Sequence, residues 1–260
     1  MIIDMGARLP NNSLKGKVSE EEWERRVELA ACFRLVSHFG LNTAPDNHIT
    51  ARVPGEPDHF LINPGKRMFS EVTASNLVKI DLDGKVLSDA PTGIVNPAGY
   101  IIHGAVMRAR SDVICAVHLH TVPGVAVAAQ KKGLQFYCQE SMRFYGRIGF
   151  HEYEGISKDL DEQDRIAHDL ADNFVMIMRN HGTLVVGRTV AEAFNFTVSF
   201  EKSCAIQVAA QASGEELTIP SDEICEKTAN HRGRMNRPQG ADQWESYLRI
   251  ADACYPSYAT

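Results

Sequence analysis

Apolar and polar positions alternate along this chain with two distinct periods. From Ser19 to Phe39 the period is helical, with Val27, Ala30, Ala31, Leu35 and Val36 on one side. Ser19-Glu20-Glu21-Glu22 supplies a capping-box start and Gly40 a stop. Short runs of β-formers follow: "NHITARV", "HFLIN" and "LVKIDLDGKVL". Asp83-Gly84, at the centre of the last run, predicts a hairpin. The helical period returns from Pro97 to Ala109, with Ile101, Ile102, Ala105, Val106 and Ala109 apolar. Val113–Val117 predicts a strand that leads into His118-Leu119-His120 and a Pro123-Gly124 break. "GVAVAAQKKG" reads as a small-residue helix and Leu160–Ala171 as an amphipathic one. "FVMIM" and "TLVVG" predict two more strands, and Thr189–Ser213 a long helix.

Residues 1–18 are rich in Gly, Asn and Lys and predict an extended arm; residues 221–260 predict a polar helical tail ending in "CYPSYAT". The strands and helices mix without regular βαβ spacing. That predicts an α/β fold with a largely antiparallel or mixed sheet covered by helices on both faces. No internal repeat, low-complexity segment or linker divides the chain, so a single domain over residues 1–260 is expected.

Composition narrows the function classes. The 260 residues are 44% hydrophobic and 23% charged, an ordinary globular balance at a length that buries a full core. A net charge of −6 argues against a nucleic-acid partner. No apolar run approaches the ~18–20 residues of a membrane span, and the N-terminus lacks a signal-peptide pattern. The six cysteines form no CxxC pair, and Cys32, Cys115 and Cys204 sit in apolar stretches. They read as reduced, buried residues, as expected of a cytoplasmic protein.

The chemistry concentrates on histidines. In a strand, residues i and i+2 point to one face, ~6.5–7 Å apart at Cα. His118 and His120 therefore aim at one spot, which suits a metal ion; the pattern reads equally as two half-exposed histidines at a strand end. His181 ends another strand, with Gly182 after it to permit a tight turn or close approach. Three histidines with an open fourth position make a catalytic metal pattern; a loop histidine satisfied by a carbonyl is the alternative.

At this point motifs add up. "AVHLHT" followed by "RNHGTLVVGRTVAEAF" resembles the class II aldolase/adducin family. The similarity runs from Glu21 to Ser213 through "DNHITARV", "FLINP", "SEVTASNLVKIDLDGKVL" and "NPAGYIIHGAVMRARSDVICAVHLHT". The resemblance implies a three-layer αβα fold with a central, largely antiparallel sheet. It implies one divalent metal ion per subunit held by His118, His120 and His181, and a homotetramer with active sites at subunit interfaces. Three imidazoles accept Zn, Mn, Fe or Co.

The family's sugar-phosphate aldolases carry a Ser-Ser-Glu stretch where this chain has Pro97-Ala98-Gly99. The phosphate-binding hydroxyls and the proton-transfer carboxylate are both lost, so a sugar-phosphate aldolase is not expected. "NPAG" resembles the adducin-like bacterial branch, which includes decarboxylases and non-haem iron oxygenases; adducin itself is not catalytic. Four residues are candidates for the missing acid–base role: His48 in "DNHIT", His103 in "YIIHGAV", and Glu140 and Tyr145 in "CQESMRFYGRIGF". Each has a plain structural alternative: a turn residue, a hydrogen-bonded core histidine, a salt bridge to Arg143 or Arg147, and a packed tyrosine. Asn47 matches a pocket-lining asparagine of the aldolases. Lys66-Arg67, after Asn63-Pro64-Gly65, is a candidate anion grip; solvated charges on a turn are the alternative. Tyr255 and Tyr258 make the tail a candidate cover for a site at a subunit boundary.

The expected function is a metal-dependent carbon–carbon lyase acting on a small carboxylate. A decarboxylase of a carboxylated hydroxy-aromatic or keto acid fits best, since ionised substrates lose CO2 without a base. The alternatives are a non-haem Fe(II) oxygenase, an aldolase of a non-phosphorylated substrate, and a non-catalytic adducin-like interaction protein.

Overall fold

The computed structural model describes residues 13–42, 44–87, 94–156, 160–231 and 237–260. Along the chain lie α1 (Glu20–His38), β1 (His48–Val53), β2 (Glu56–Ile62), β3 (Val78–Asp81), α2 (Pro97–Ala109) and β4 (Cys115–Leu119). Then come α3 (Val122–Ala128), α4 (Gln139–Met142), β5 (Ile148–His151), α5 (Glu162–Leu170), β6 (Val175–Met178) and β7 (Gly182–Gly187). Three α-helices follow, α6 (Val190–Ala212), α7 (Asp222–Ala229) and α8 (Ala241–Cys254), and then a 3-10 turn over Pro256–Ala259. The strands form one seven-stranded sheet in the order β3-β2-β1-β4-β7-β6-β5. Every neighbouring pair is antiparallel except β5–β6, which is parallel. This is the mixed α/β, largely antiparallel architecture that the pattern predicted.

Helices cover both faces, so the central strands are buried throughout. In β4 the side chains alternate: Cys115, Val117 and Leu119 join the core under α1, α3 and α6, while Ala116 joins the core under α2 and α5. His118 falls on the α2 face by the same alternation. The first core is built on Leu29, Phe33, Val127, Phe194 and Phe200; the second on Phe60, Ile102, Val106, Ile166 and Leu184.

Helix boundaries follow local chemistry. Ser19 caps α1 by accepting the Glu22 N–H at 3.1 Å, and Gly40 takes a φ of +71° just past its end. Asn96 caps α2 by accepting the Ala98 N–H at 3.1 Å, with Pro97 in the first turn. Gly84 makes the expected turn at φ +82°, and among the described residues the arm beyond it pairs back on β3 through one bridge, Ile80–Val86. The short edge strand β5 and helix α4 were not legible in the pattern.

Residues 1–12 of the predicted arm lie outside the described residues. Leu14 packs with Trp23 and Ala74. The tail is helical as predicted, and within one chain it packs on α1 and on the segment before β3. Tyr258 O accepts from Ala74 N at 2.8 Å, Thr260 O accepts from Ser75 N at 2.9 Å, and the Tyr255 hydroxyl lies 3.0 Å from His38 Nδ1. All six cysteines are free, and Cys32, Cys115, Cys204 and Cys225 are buried. No described helix is long and apolar enough to cross a membrane.

Candidate metal centre

Two neighbouring strand ends, the last residues of β4 and the approach to β7, bring three histidines together at one end of the sheet's centre. His118 is the fourth residue of β4, His120 follows that strand, and His181 immediately precedes β7. Their ring centroids are 4.7, 4.8 and 4.8 Å apart. One nitrogen from each lies within 4.8 Å of the others, and His118 Nε2 and His120 Nε2 are 2.8 Å apart. Two nitrogens on a tetrahedral ion at ~2.0–2.1 Å would stand about 3.3 Å apart, so this spacing fits a single ion. His118 Nδ1 donates to the Thr183 carbonyl at 3.1 Å, which leaves Nε2 as the free lone pair. Burial holds His118 well below the usual imidazole range, lowers His120, and with His120 beside it brings His181 down to about 4. Neutral imidazoles are what a metal requires.

Gly182 explains how the third histidine arrives. A Cβ there would lie 2.4 Å from the Leu119 carbonyl oxygen and 2.9 Å from His120 Cδ2. Only glycine lets the His181 segment come this close to the HxH strand. The turn that delivers His181 places Asn180 at φ +55°, a region asparagine tolerates.

The loop before β1 steadies His120. Asn47 Oδ1 accepts the His120 N–H at 2.8 Å, while Asn47 Nδ2 donates to Ala44 O and Asp46 Oδ1, both at 3.3 Å. The asparagine predicted to face substrate is thus engaged in holding a histidine. Asp46 Oδ2 lies 3.7 Å from His120 Nδ1. Asp46 was not singled out from the sequence, although it sits in the same "DNHIT" motif.

The four acid–base candidates separate. His48 pairs in register with His118, and the two rings stack with centroids 5.8 Å apart. His48 is buried, and neither ring nitrogen has a hydrogen-bond partner. Burial and the neighbouring His120 bring its pKa down to about 3. A Cβ at Gly99 would lie 3.1 Å from His48 Cδ2, so the bare first turn of α2 makes room for this ring. His103 lies one layer deeper: its Nδ1 is 2.6 Å from Thr50 Oγ1 and its ring 5.9 Å from His48.

Glu140 is elsewhere. It pairs with Lys202 of α6, not with Arg143 or Arg147, and that ammonium lowers its pKa. Tyr145 packs edge-on against Phe136. Neither meets the histidines within one chain. In the Lys66-Arg67 turn, Lys66 adopts φ +65° and Arg67 Nη1 lies 3.4 Å from Glu71 Oε1, while Arg67 Nε is buried without a partner. Val122, two residues past His120, is 83% exposed, and Tyr153 is 53% exposed with its ring 6.2 Å from that of His181.

This helix-covered, largely antiparallel sheet has the fold of the class II aldolases. Residues 27–208 match the family described as the Class II Aldolase and Adducin N-terminal domain, and the chain belongs to that family. An aldolase II superfamily protein from Pseudomonas syringae has a similar structure, with a TM-score of 0.90 and 42% identity over 96% of this chain and 100% of that one. The L-fuculose 1-phosphate aldolase of Glaciozyma antarctica PI12 superposes with a TM-score of 0.79 and 27% identity, covering 94% of this chain and 93% of the other. Alpha-adducin of Rattus norvegicus is 40% identical over 217 residues, which are 81% of this chain and 29% of that protein.

Proposed function

We propose that the protein is a divalent-metal-dependent carbon–carbon lyase, and specifically a decarboxylase of a carboxylated hydroxy-aromatic or keto acid. The observation that carries this reading is the convergence of His118, His120 and His181 beside a buried, unpartnered His48 and a side-chain-free Gly99. The three histidines would hold the ion. A bound divalent cation supplies Lewis-acid stabilisation of the enolate-like charge left by carbon–carbon cleavage.

The chain's own residues complete the reading. His48, neutral and desolvated, has an N–H to offer a substrate oxygen as a hydrogen bond where negative charge develops. Arg67, with its Nε unpaired, supplies positive charge for a substrate carboxylate. Val122 and Tyr153, exposed beside the histidines, support a site that closes against a second subunit in a homotetramer.

The test is anaerobic metal analysis of the purified protein with a screen of hydroxy-aromatic and keto acids for CO2 release. Bound Zn, Mn or Co with oxygen-independent CO2 release is expected. Iron with oxygen consumption would overturn the lyase reading. A second reading, a non-catalytic interaction protein, is favoured by the similarity to alpha-adducin; a chain that takes up no metal would support it.

A further inference from the structure

Glu201 lies midway along α6, on the face turned to the sheet, and is 1% exposed. Its Oε1 accepts from Thr183 Oγ1 at 2.7 Å and its Oε2 accepts from Thr121 Oγ1. Thr121 follows His120 and caps α3, where its oxygen also accepts the Gly124 N–H at 2.9 Å. Thr183 lies two residues after His181, and its carbonyl is the acceptor for His118 Nδ1. A Cβ at Gly124 would lie 2.7 Å from Thr121 Oγ1, 3.0 Å from Glu201 Oε2 and 3.1 Å from Thr183 Cγ2. The three residues thus meet in a contact that only glycine allows.

Register shows why a bridge is placed here. The β4–β7 ladder ends at the Leu119–Thr183 pair. His120 and His181 lie just beyond it, where pairing between these two strands no longer sets their separation. We propose that Glu201 is a positioning residue for the metal centre, clamping the His120–Thr121 and His181–Thr183 segments at the spacing one ion needs. The inference rests on the three-histidine reading of the site. Burying a carboxylate is costly even after relaxation, and an apolar side chain would serve packing alone. The other fully buried carboxylate of α6, Glu192, is instead ion-paired with Arg188 at the helix start.

Cobalt(II) binding to the full chain tests the clamp, with Glu201→Ala as the variant and Glu192→Ala as the control for generic loss of a buried carboxylate. Glu201→Ala should lose about ten- to a hundred-fold in cobalt affinity, as loss of groups that orient ligands does. Its ligand-field absorption should change, and Glu201→Gln should recover part of both. Glu192→Ala should lower Tm while leaving affinity and spectrum as in the parent. In the metal-free protein, amide exchange at residues 120–124 and 181–184 should quicken in Glu201→Ala and not in the control. Parental affinity and spectrum in Glu201→Ala, or a loss matched by Glu192→Ala, would overturn the proposal. If the parent chain binds no cobalt, the three-histidine reading fails separately; the exchange measurement then decides the clamp, and unchanged exchange overturns it. Should Glu201→Ala not fold, Glu201→Gln measured against the parent decides: parental affinity, spectrum and exchange in it overturn the clamp.

Discussion

His48 and His118 lie opposite each other across β1 and β4 as nearly parallel rings, with planes 11° apart. One ring belongs to the candidate ligand set; the other has two unpartnered nitrogens in a buried position. Unpaired buried polar groups cost about 1–3 kcal/mol each, a cost the fold carries at this site. If the His48 N–H stabilises charge developing on a substrate oxygen, His48→Ala should lower kcat by on the order of 10²–10³ while metal content stays at the parental level. Steady-state rates and metal analysis on the same preparation check both halves.

Replacing His118, His120 or His181 by Ala should strip most of the bound metal and leave the secondary structure intact. The core under α1 and α6 does not depend on these side chains. Elemental analysis and far-UV circular dichroism separate the two effects; full metal content in His181→Ala would remove that residue from the site.

Gly182→Ala should damage the centre without touching a ligand. The added Cβ meets the Leu119 carbonyl at 2.4 Å and the His120 ring at 2.9 Å, and backbone cannot yield as a flexible side chain does. Overpacking of this kind costs about 1–3 kcal/mol. Urea midpoints and cobalt affinity should both fall.

Acid should destabilise the metal-free protein. Burial depresses His48, His103, His118, His120 and His181, with His48 at about 3 and His181 at about 4. In the unfolded chain each returns to about 6.5. Between about pH 6.5 and pH 4 the unfolded state therefore binds more protons, so stability falls as pH falls through this window. Each imidazole kept neutral contributes up to about 1.4 kcal/mol per pH unit. Urea unfolding across pH 4–7 should show a steep decline below pH 6.5, shallower in His103→Asn.

Arg67→Ala tests the carboxylate grip. A charged hydrogen bond is worth ~1.5–3 kcal/mol, which corresponds to roughly ten- to a hundred-fold in kcat/KM. Lys at this position should restore only part, because an ammonium lacks the planar fork. Parental kinetics in Arg67→Ala would leave the residue as the partner of Glu71 alone.

The amino-acid sequence alone determined the helices at Pro97–Ala109 and Val190–Ala212, the strands around His118 and Leu184, and the shared face of His118 and His120. Period, caps and i,i+2 geometry are local, and they survive whatever the rest of the chain does. Spacing could not bring His181 to the pair, which only the family resemblance implied; its approach depends on a missing Cβ against a carbonyl from another strand. Tertiary structure alone turned Asn47 toward the His120 backbone, gave Glu140 to Lys202, and buried Glu201 between two hydroxyls. It also placed Arg26 and Arg34 inside, where their guanidinium groups donate to the carbonyls of Ala74, Leu77 and Val72. These partners are distant in sequence, and a charged or polar residue carries no local sign of which distant group will satisfy it once water is gone.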